Sequence, residues 1–433
     1  MGDGHARTDT GNGGHHTFSY LRAAIAGLGY FSVSVVWAIF NQFVPLILQA
    51  GRPGFERELL VPGSQPPIAG FGLPASVALF IMTWDNIINV FFQPWIGARS
   101  DRTWNRFGRR KPWVLSGLPI VLVGFMAIPF ARSVPAIIFF ILATNVGMAF
   151  FRSPTAAWLG DLFNPKDRSK ANGTINIMGG LGGILALFLA GALFNRYGIG
   201  APFVAGAVLV LGAVAIITIG VREPPRLHVR PVAGDTWTVL RRAVRRLDRN
   251  AILVLVTILF YSTAYYGIEA GLSSFVVFSL GISPGATSIY GGIGMAVFLL
   301  FALPAGLLGT RYSRRRMVHG GLAGLAFVFL LSYVVIRNGT TLLIMLILFS
   351  ALWSLVSVNG LPLLYDHGDE RYIGAFTGFY YFCSQLAAVI GPTGGGLLVD
   401  WLDNEYRFLF IFSSLFFALA WLVIGRVRPR LAS

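Results

Sequence analysis

The chain has 433 residues, 55% of them hydrophobic and only 12% charged, about half the charged fraction of an ordinary soluble domain. A water-soluble globular fold is therefore excluded. The net charge of +16 does not point to nucleic acid, because the basic residues lie in short segments between long apolar runs, which is how a membrane protein sets its orientation.

Apolar windows long enough to cross a bilayer lie at 20–49, 72–97, 112–131, 134–160, 171–195, 201–221, 250–280, 284–309, 317–336, 341–364, 372–399 and 406–426. This pattern predicts an all-α membrane protein with twelve transmembrane helices in two six-helix bundles related by pseudo-symmetry. The expected division is a polar tail at 1–18, a bundle at 19–221, a basic linker at 222–249, a bundle at 250–427 and a tail at 428–433. The first span is too long for a cleaved leader. Of the 34 Lys and Arg, 27 fall on the side carrying both termini, six on the other, and Arg152 lies within a span. The positive-inside rule makes the first side cytoplasmic, so a multi-pass protein of the cell (inner) membrane is expected. Within the linker, Trp237, Leu240, Val244 and Leu247 have the spacing of a helix lying on the membrane face.

The first span carries Trp37, Asn41, Gln42 and Pro45, a polar patch beside a tryptophan. The second carries Trp84, Asp85, Asn86, Asn89 and Gln93. The last two polar side chains lie one and two turns from Asp85, forming a stripe that faces a cavity or a partner helix. Asp85 is twelve residues from Gly97, about 18 Å along a helix, and so near mid-membrane. The fourth span holds Arg152 and Pro154, the seventh Tyr265, Tyr266, Gly267 and Glu269. A charge at the bilayer centre costs about 2.5–3.5 kcal/mol on insertion scales, so these three charges call for partners and a purpose. Asp85 can carry a coupling proton, or form a fixed pair with Arg152. Glu269 can serve an outer gate with its tyrosines, or sit in an interfacial aromatic belt. Asn172, Asn176, Asn359, Tyr380, Tyr381 and Gln385 can bind hydroxyls or join helix to helix.

Loop 97–113, GARSDRTWNRFGRRKPW, has an echo at 306–317, GLLGTRYSRRRM. Gly97, Arg102 and Arg106 match Gly306, Arg311 and Arg315 at one offset, and Asp161 and Asp366 each precede a glycine by twelve residues. A fused duplication explains both. Two similar membrane halves are the usual plan of a secondary transporter.

The G-x-x-x-D-R … G-R-R pattern of Gly97, Asp101, Arg102, Gly108, Arg109 and Arg110 resembles the signature of the major facilitator superfamily. The longer loop form, with Gln93-Pro94 before it and Lys111-Pro112-Trp113 after it, is similar to sucrose/proton symporters and glycoside–pentoside–hexuronide:cation symporters. The segments at 152–162, 168–183 and 374–400 resemble the same bacterial branch. The resemblance implies a conformational latch built on Gly97, Asp101, Arg102, Gly108, Arg109 and Arg110, with Asp161 and Asp366 at the matching helix ends. Asp101 would cap a helix of the other half. Where melibiose-type members place sodium-binding carboxylates, this chain has Asn89, Gln93 and Arg152. The implied coupling ion is therefore H+ and not Na+.

No metal-spaced His/Cys/carboxylate cluster, nucleotide-binding loop or nucleophile triad is legible, so the chain reads as no enzyme, without cofactor or metal. The expected function is proton-coupled symport of a sugar or glycoside by alternating access, performed by a monomer. Asp85, Arg152 and Glu269 would couple protons, and Trp37, Asn41, Gln42, Trp84, Asn89, Gln93, Tyr265, Asn359, Tyr380 and Gln385 would contact the solute. Two other readings stay open: a proton-coupled exporter of amphipathic small molecules, and a membrane sensor that does not transport. The motif GPTGGG at 391–396 resembles one found in drug exporters but lies on the wrong span, which weighs against export.

Overall fold

A computed structural model describes residues 18–51, 55, 70–164, 167–223, 247–367 and 373–427. The expected tails and the amphipathic linker helix lie outside them. Thirteen α-helices are described: α1 (Tyr20–Gln49), α2 (Ala75–Ile81), α3 (Trp84–Arg102), α4 (Lys111–Ala127), α5 (Val134–Leu162), α6 (Arg168–Tyr197), α7 (Gly200–Gly220), α8 (Arg249–Ser274), α9 (Pro284–Tyr312), α10 (Arg314–Val335), α11 (Gly339–Asp366), α12 (Ile373–Trp401) and α13 (Phe408–Gly425). Local sequence starts several of them. Ser19, Ser133, Asp248, Ser283 and Asn338 each accept a backbone N–H of the first turn, satisfying donors that a new helix leaves without partners.

Eleven of these helices, some with a short 3₁₀ or π extension, are long and apolar enough to cross a membrane. The remaining crossing is α2 and α3 together. It breaks at Met82 and Thr83, where the Thr83 hydroxyl donates to the Phe80 carbonyl at 2.8 Å. The break was not legible in the sequence, and it places Asp85 in the first turn of α3.

The duplication is visible in the packing. Within the first half α1 packs on α6 and α7, α5 on α3 and α4, and α4 on α7; within the second, α8 packs on α12 and α13, α11 on α9 and α10, and α10 on α13. Every one of these pairings has its counterpart. The halves meet through α2 with α12, α6 with α9, and α1 with α8.

The hydrogen bonds joining the halves cluster at the end away from the termini. Asp400, near the end of α12, accepts the N–H groups of Ala75 and Ser76 at 2.9 and 2.8 Å, capping α2. Gln49 donates to the Ser274 hydroxyl at 3.0 Å and accepts from the Tyr406 hydroxyl. Ser288 donates to the Leu187 carbonyl at 2.8 Å.

Candidate functional site

A cavity of about 1090 Å³ lies between the halves. α1 contributes Tyr30, Ser34, Trp37, Asn41 and Gln42, spaced so that one helical face turns inward. α5 contributes Arg152 and Ser153. From the other half come Tyr265, Tyr266 and Glu269 on α8, Phe349 and Trp353 on α11, and Tyr380, Tyr381, Ser384 and Gln385 on α12.

The two walls differ in chemistry. On the second half, Tyr265 stacks on Trp353 with ring centroids 4.4 Å apart and planes 8° from parallel, and Phe349 extends the stack. Tyr261 meets the Trp353 edge at 5.7 Å. This flat aromatic surface suits an apolar or sugar-ring face. On the first half, the Trp37 Nε1 and Gln42 Nε2 donors are buried and have no partner among the described residues. Such orphaned donors are rare unless something else accepts from them.

Glu269 is half-buried, with the Tyr265 hydroxyl and the Asn41 amide within hydrogen-bonding reach of its carboxylate. It faces the cavity and does not sit in an interfacial belt. Arg152 is exposed toward the cavity. Asp85 lies within electrostatic reach of both Arg152 and Glu269, but no ion pair joins Asp85 to Arg152 among the described residues. Nor is Asp85 among the cavity-lining residues: the helix break turns its carboxylate toward its own N–H and that of Asn86.

Trp37, Asn41, Gln42, Tyr265, Tyr380 and Gln385 line the cavity, whereas other candidate contacts do not. Trp84 packs into the first half's core with its ring against Phe80. Asn89 is buried with its Oδ1 unpartnered. Asn359 is buried and donates to the Ala305 and Leu355 carbonyls at 3.1 and 3.0 Å, joining α11 to α9. Gln93 lies on α3, its side chain outside the described set. Tyr30, Phe349 and Trp353 were missed; Tyr30 stood one turn before Ser34 on the same stripe as Trp37.

The loop residues of the expected latch gather at the termini end. Arg109 and Arg110 donate to the two Asp161 oxygens at 2.8 and 2.9 Å. Glu223, which sequence reading had left unassigned, accepts the N–H groups of Arg109, Arg110 and Lys111 and the Trp158 indole N–H. Gly108 has φ +113°, and a Cβ there would strike Glu223, so the turn admits no side chain. Gly97 meets Ser153 on α5, as Gly306 meets Val358 on α11. Arg102 is exposed, and the Asp101 side chain lies outside the described set. In the second half Arg314 pairs with Asp366.

Comparison with known proteins agrees with this architecture. The family model described as Major Facilitator Superfamily matches residues 26–298 and 271–433. Multidrug resistance protein 2 of Bacillus subtilis is 26% identical over 71% of this chain and 76% of its own. A sucrose transport protein of Arabidopsis thaliana is 28% identical over 29% of this chain and 25% of its own. A nucleoside transporter crystal structure superposes with TM-score 0.72 at 13% identity, covering 95% of this chain and 100% of that one. Twelve crossings in two repeated halves, the central cavity and the loop signature all agree with the family match: the chain belongs to the major facilitator superfamily.

Proposed function

We propose that this transporter performs proton-coupled symport of a sugar or glycoside by alternating access between its two halves. The observation carrying this reading is the pairing of two unlike walls in one cavity, the polar residues Trp37, Asn41 and Gln42 on the first half and the Tyr265–Trp353 stack on the second. Hydroxyl oxygens would accept from the first wall while the ring's C–H face rests on the second.

Charge arithmetic supports the proton. Asp85 and Glu269 are two carboxylates within electrostatic reach of each other, and neither forms an ion pair with Arg152 among the described residues. Neutralising Glu269 in an occluded cavity requires a cation, and among the described residues no second acid lines the cavity to complete a Na+ site, which favours H+. Glu269, which faces the solute space, is the natural carrier. With the termini cytoplasmic, the structure would correspond to the inward-open state of a monomer in the cell membrane.

The test is flux into vesicles under an imposed pH gradient across a sugar panel, repeated with sodium. Glu269→Gln is expected to abolish gradient-driven uptake while leaving counterflow exchange intact; undiminished uptake in that variant would overturn the assignment. A second reading, export of amphipathic solutes, draws on the same aromatic wall and on the resemblance to the Bacillus protein. It predicts raised resistance to a drug panel on expression and no sugar flux.

A further inference from the structure

We propose that the transported solute carries an anionic group, a carboxylate in the simplest case, which Arg152 receives in a subsite shared by both halves. This rests on the cavity being the transport site, and not on the solute being a sugar.

Arg152 lines the cavity and is exposed within it. Its guanidinium makes no ion pair or side-chain hydrogen bond with any described residue, although five N–H donors are available there. Two phenol groups lie within electrostatic reach of it, and a third lies beside one of them. Tyr30 and Tyr266 are its electrostatic neighbours, and Tyr381 is a neighbour of Tyr30. Tyr30 and Arg152 belong to the first half, Tyr266 and Tyr381 to the second. The cluster therefore brings a guanidinium and phenol donors from both halves to one cavity wall. Asp85 lies within electrostatic reach of Arg152 but outside the cavity lining, and its carboxylate accepts backbone N–H groups rather than the guanidinium. Glu269, the one acid lining the cavity among the described residues, is engaged by Tyr265 and Asn41.

Physics then restricts the solute. While the cavity is open, water solvates the guanidinium. Once it occludes, an unpaired cation would be buried, and breaking or omitting a buried pair is strongly destabilising. A neutral solute leaves that cost in place, whereas a solute carboxylate removes it through a bidentate, charge-assisted contact. The same oxygens would accept from Tyr266 and Tyr381, tying the halves together. Ligand binding shifts a conformational equilibrium only through differential affinity, and a contact completed by both halves supplies that difference.

Two probe pairs test this on the full-length protein in detergent, read by ligand quenching of tryptophan fluorescence. One pair is 4-nitrophenyl β-glucuronide against 4-nitrophenyl β-glucoside, the other 3-phenylpropionate against its amide. The anionic member of at least one pair is expected to bind about tenfold or more tightly than the neutral one. Arg152→Gln should erase that preference and Arg152→Lys retain part of it, both variants keeping the wild-type elution profile. Tyr381→Phe should reduce it, which a general surface-charge effect would not. Preference in the second pair alone sustains the anion subsite while refuting the sugar reading. Equal or tighter binding of both neutral members, binding in neither pair, or a preference that survives Arg152→Gln would overturn the proposal.

Discussion

The two halves place an arginine against an acid at corresponding points, yet the contacts differ in kind. In the first half Arg109, Arg110 and Asp161 have side chains only 5–15% exposed, and Glu223 closes the group from the end of α7. In the second half Arg314 and Asp366 are 34% and 41% exposed. There Arg315 donates to the Gly425 carbonyl at the end of α13. Among the described residues, Glu223 adds a second carboxylate to the buried first-half cluster, whereas the Arg314–Asp366 pair is more exposed. Duplication supplied the position, and burial decides what the position is worth.

The largest effect is expected where the burial is greatest. Asp161→Asn leaves two nearly buried guanidinium groups without their shared counter-charge. Loss of one partner of a buried pair costs about 3–5 kcal/mol, so thermal unfolding in detergent should fall by several degrees. A loss below about 1 kcal/mol, in the range of a surface pair, would erase the distinction between the halves.

Glu223→Gln ranks next. The carboxylate serves three successive backbone N–H groups at the start of α4 and the Trp158 indole; an amide keeps one acceptor oxygen and presents N–H groups to the rest. Unsatisfied buried donors cost about 1–3 kcal/mol. Combined with Asp161→Asn, the losses should be less than additive, because both acids serve the same arginines. Strict additivity would mean that the two acids act separately.

How much of this was legible from residues alone follows a physical line. The helices were, because apolar runs of membrane length and capping residues such as Ser133 and Asn338 are local features. The loop signature was, because Gly108 needs its positive φ wherever the chain folds. Asp85 was not: the break at Met82–Thr83 places it in the first turn of α3 with its carboxylate toward backbone N–H groups, and nothing in that stretch is a proline or glycine that would announce a break. Asn359 had the polar character of a ligand contact and instead joins α11 to α9, a choice set by which helix lies opposite. Glu223 escaped because its partners are 65 to 114 residues away along the chain. Long-range pairing is the part of the fold that no local pattern encodes.

The opposite end of the molecule extends the comparison, since there a single acid joins the halves themselves. Asp400→Asn keeps one acceptor for the Ala75 and Ser76 N–H groups and turns an amide N–H toward the other. Removing a charged cap costs about 1–2 kcal/mol, here charged to the closure of that end. A cysteine introduced at Ser34 in a Cys383→Ser background should react with maleimide from that side about tenfold faster in the variant. An unchanged rate would show that Gln49, Ser274 and Tyr406 hold the end shut without it.

Asp366→Asn should be the mildest change. Its pair with Arg314 stands in solvent, where side-chain entropy and ionic screening cancel most of the attraction. The expected loss is under about 1 kcal/mol. The sharper criterion is salt. An exposed pair weakens once the Debye length shrinks toward 3 Å near 1 M salt, whereas buried charges are screened far less. The Asp366→Asn deficit should therefore vanish in high salt while the Asp161→Asn deficit persists. Equal salt sensitivity of the two would mean that the first-half cluster is reached by solvent as freely as the second, and the asymmetry between the halves would then need another cause than burial.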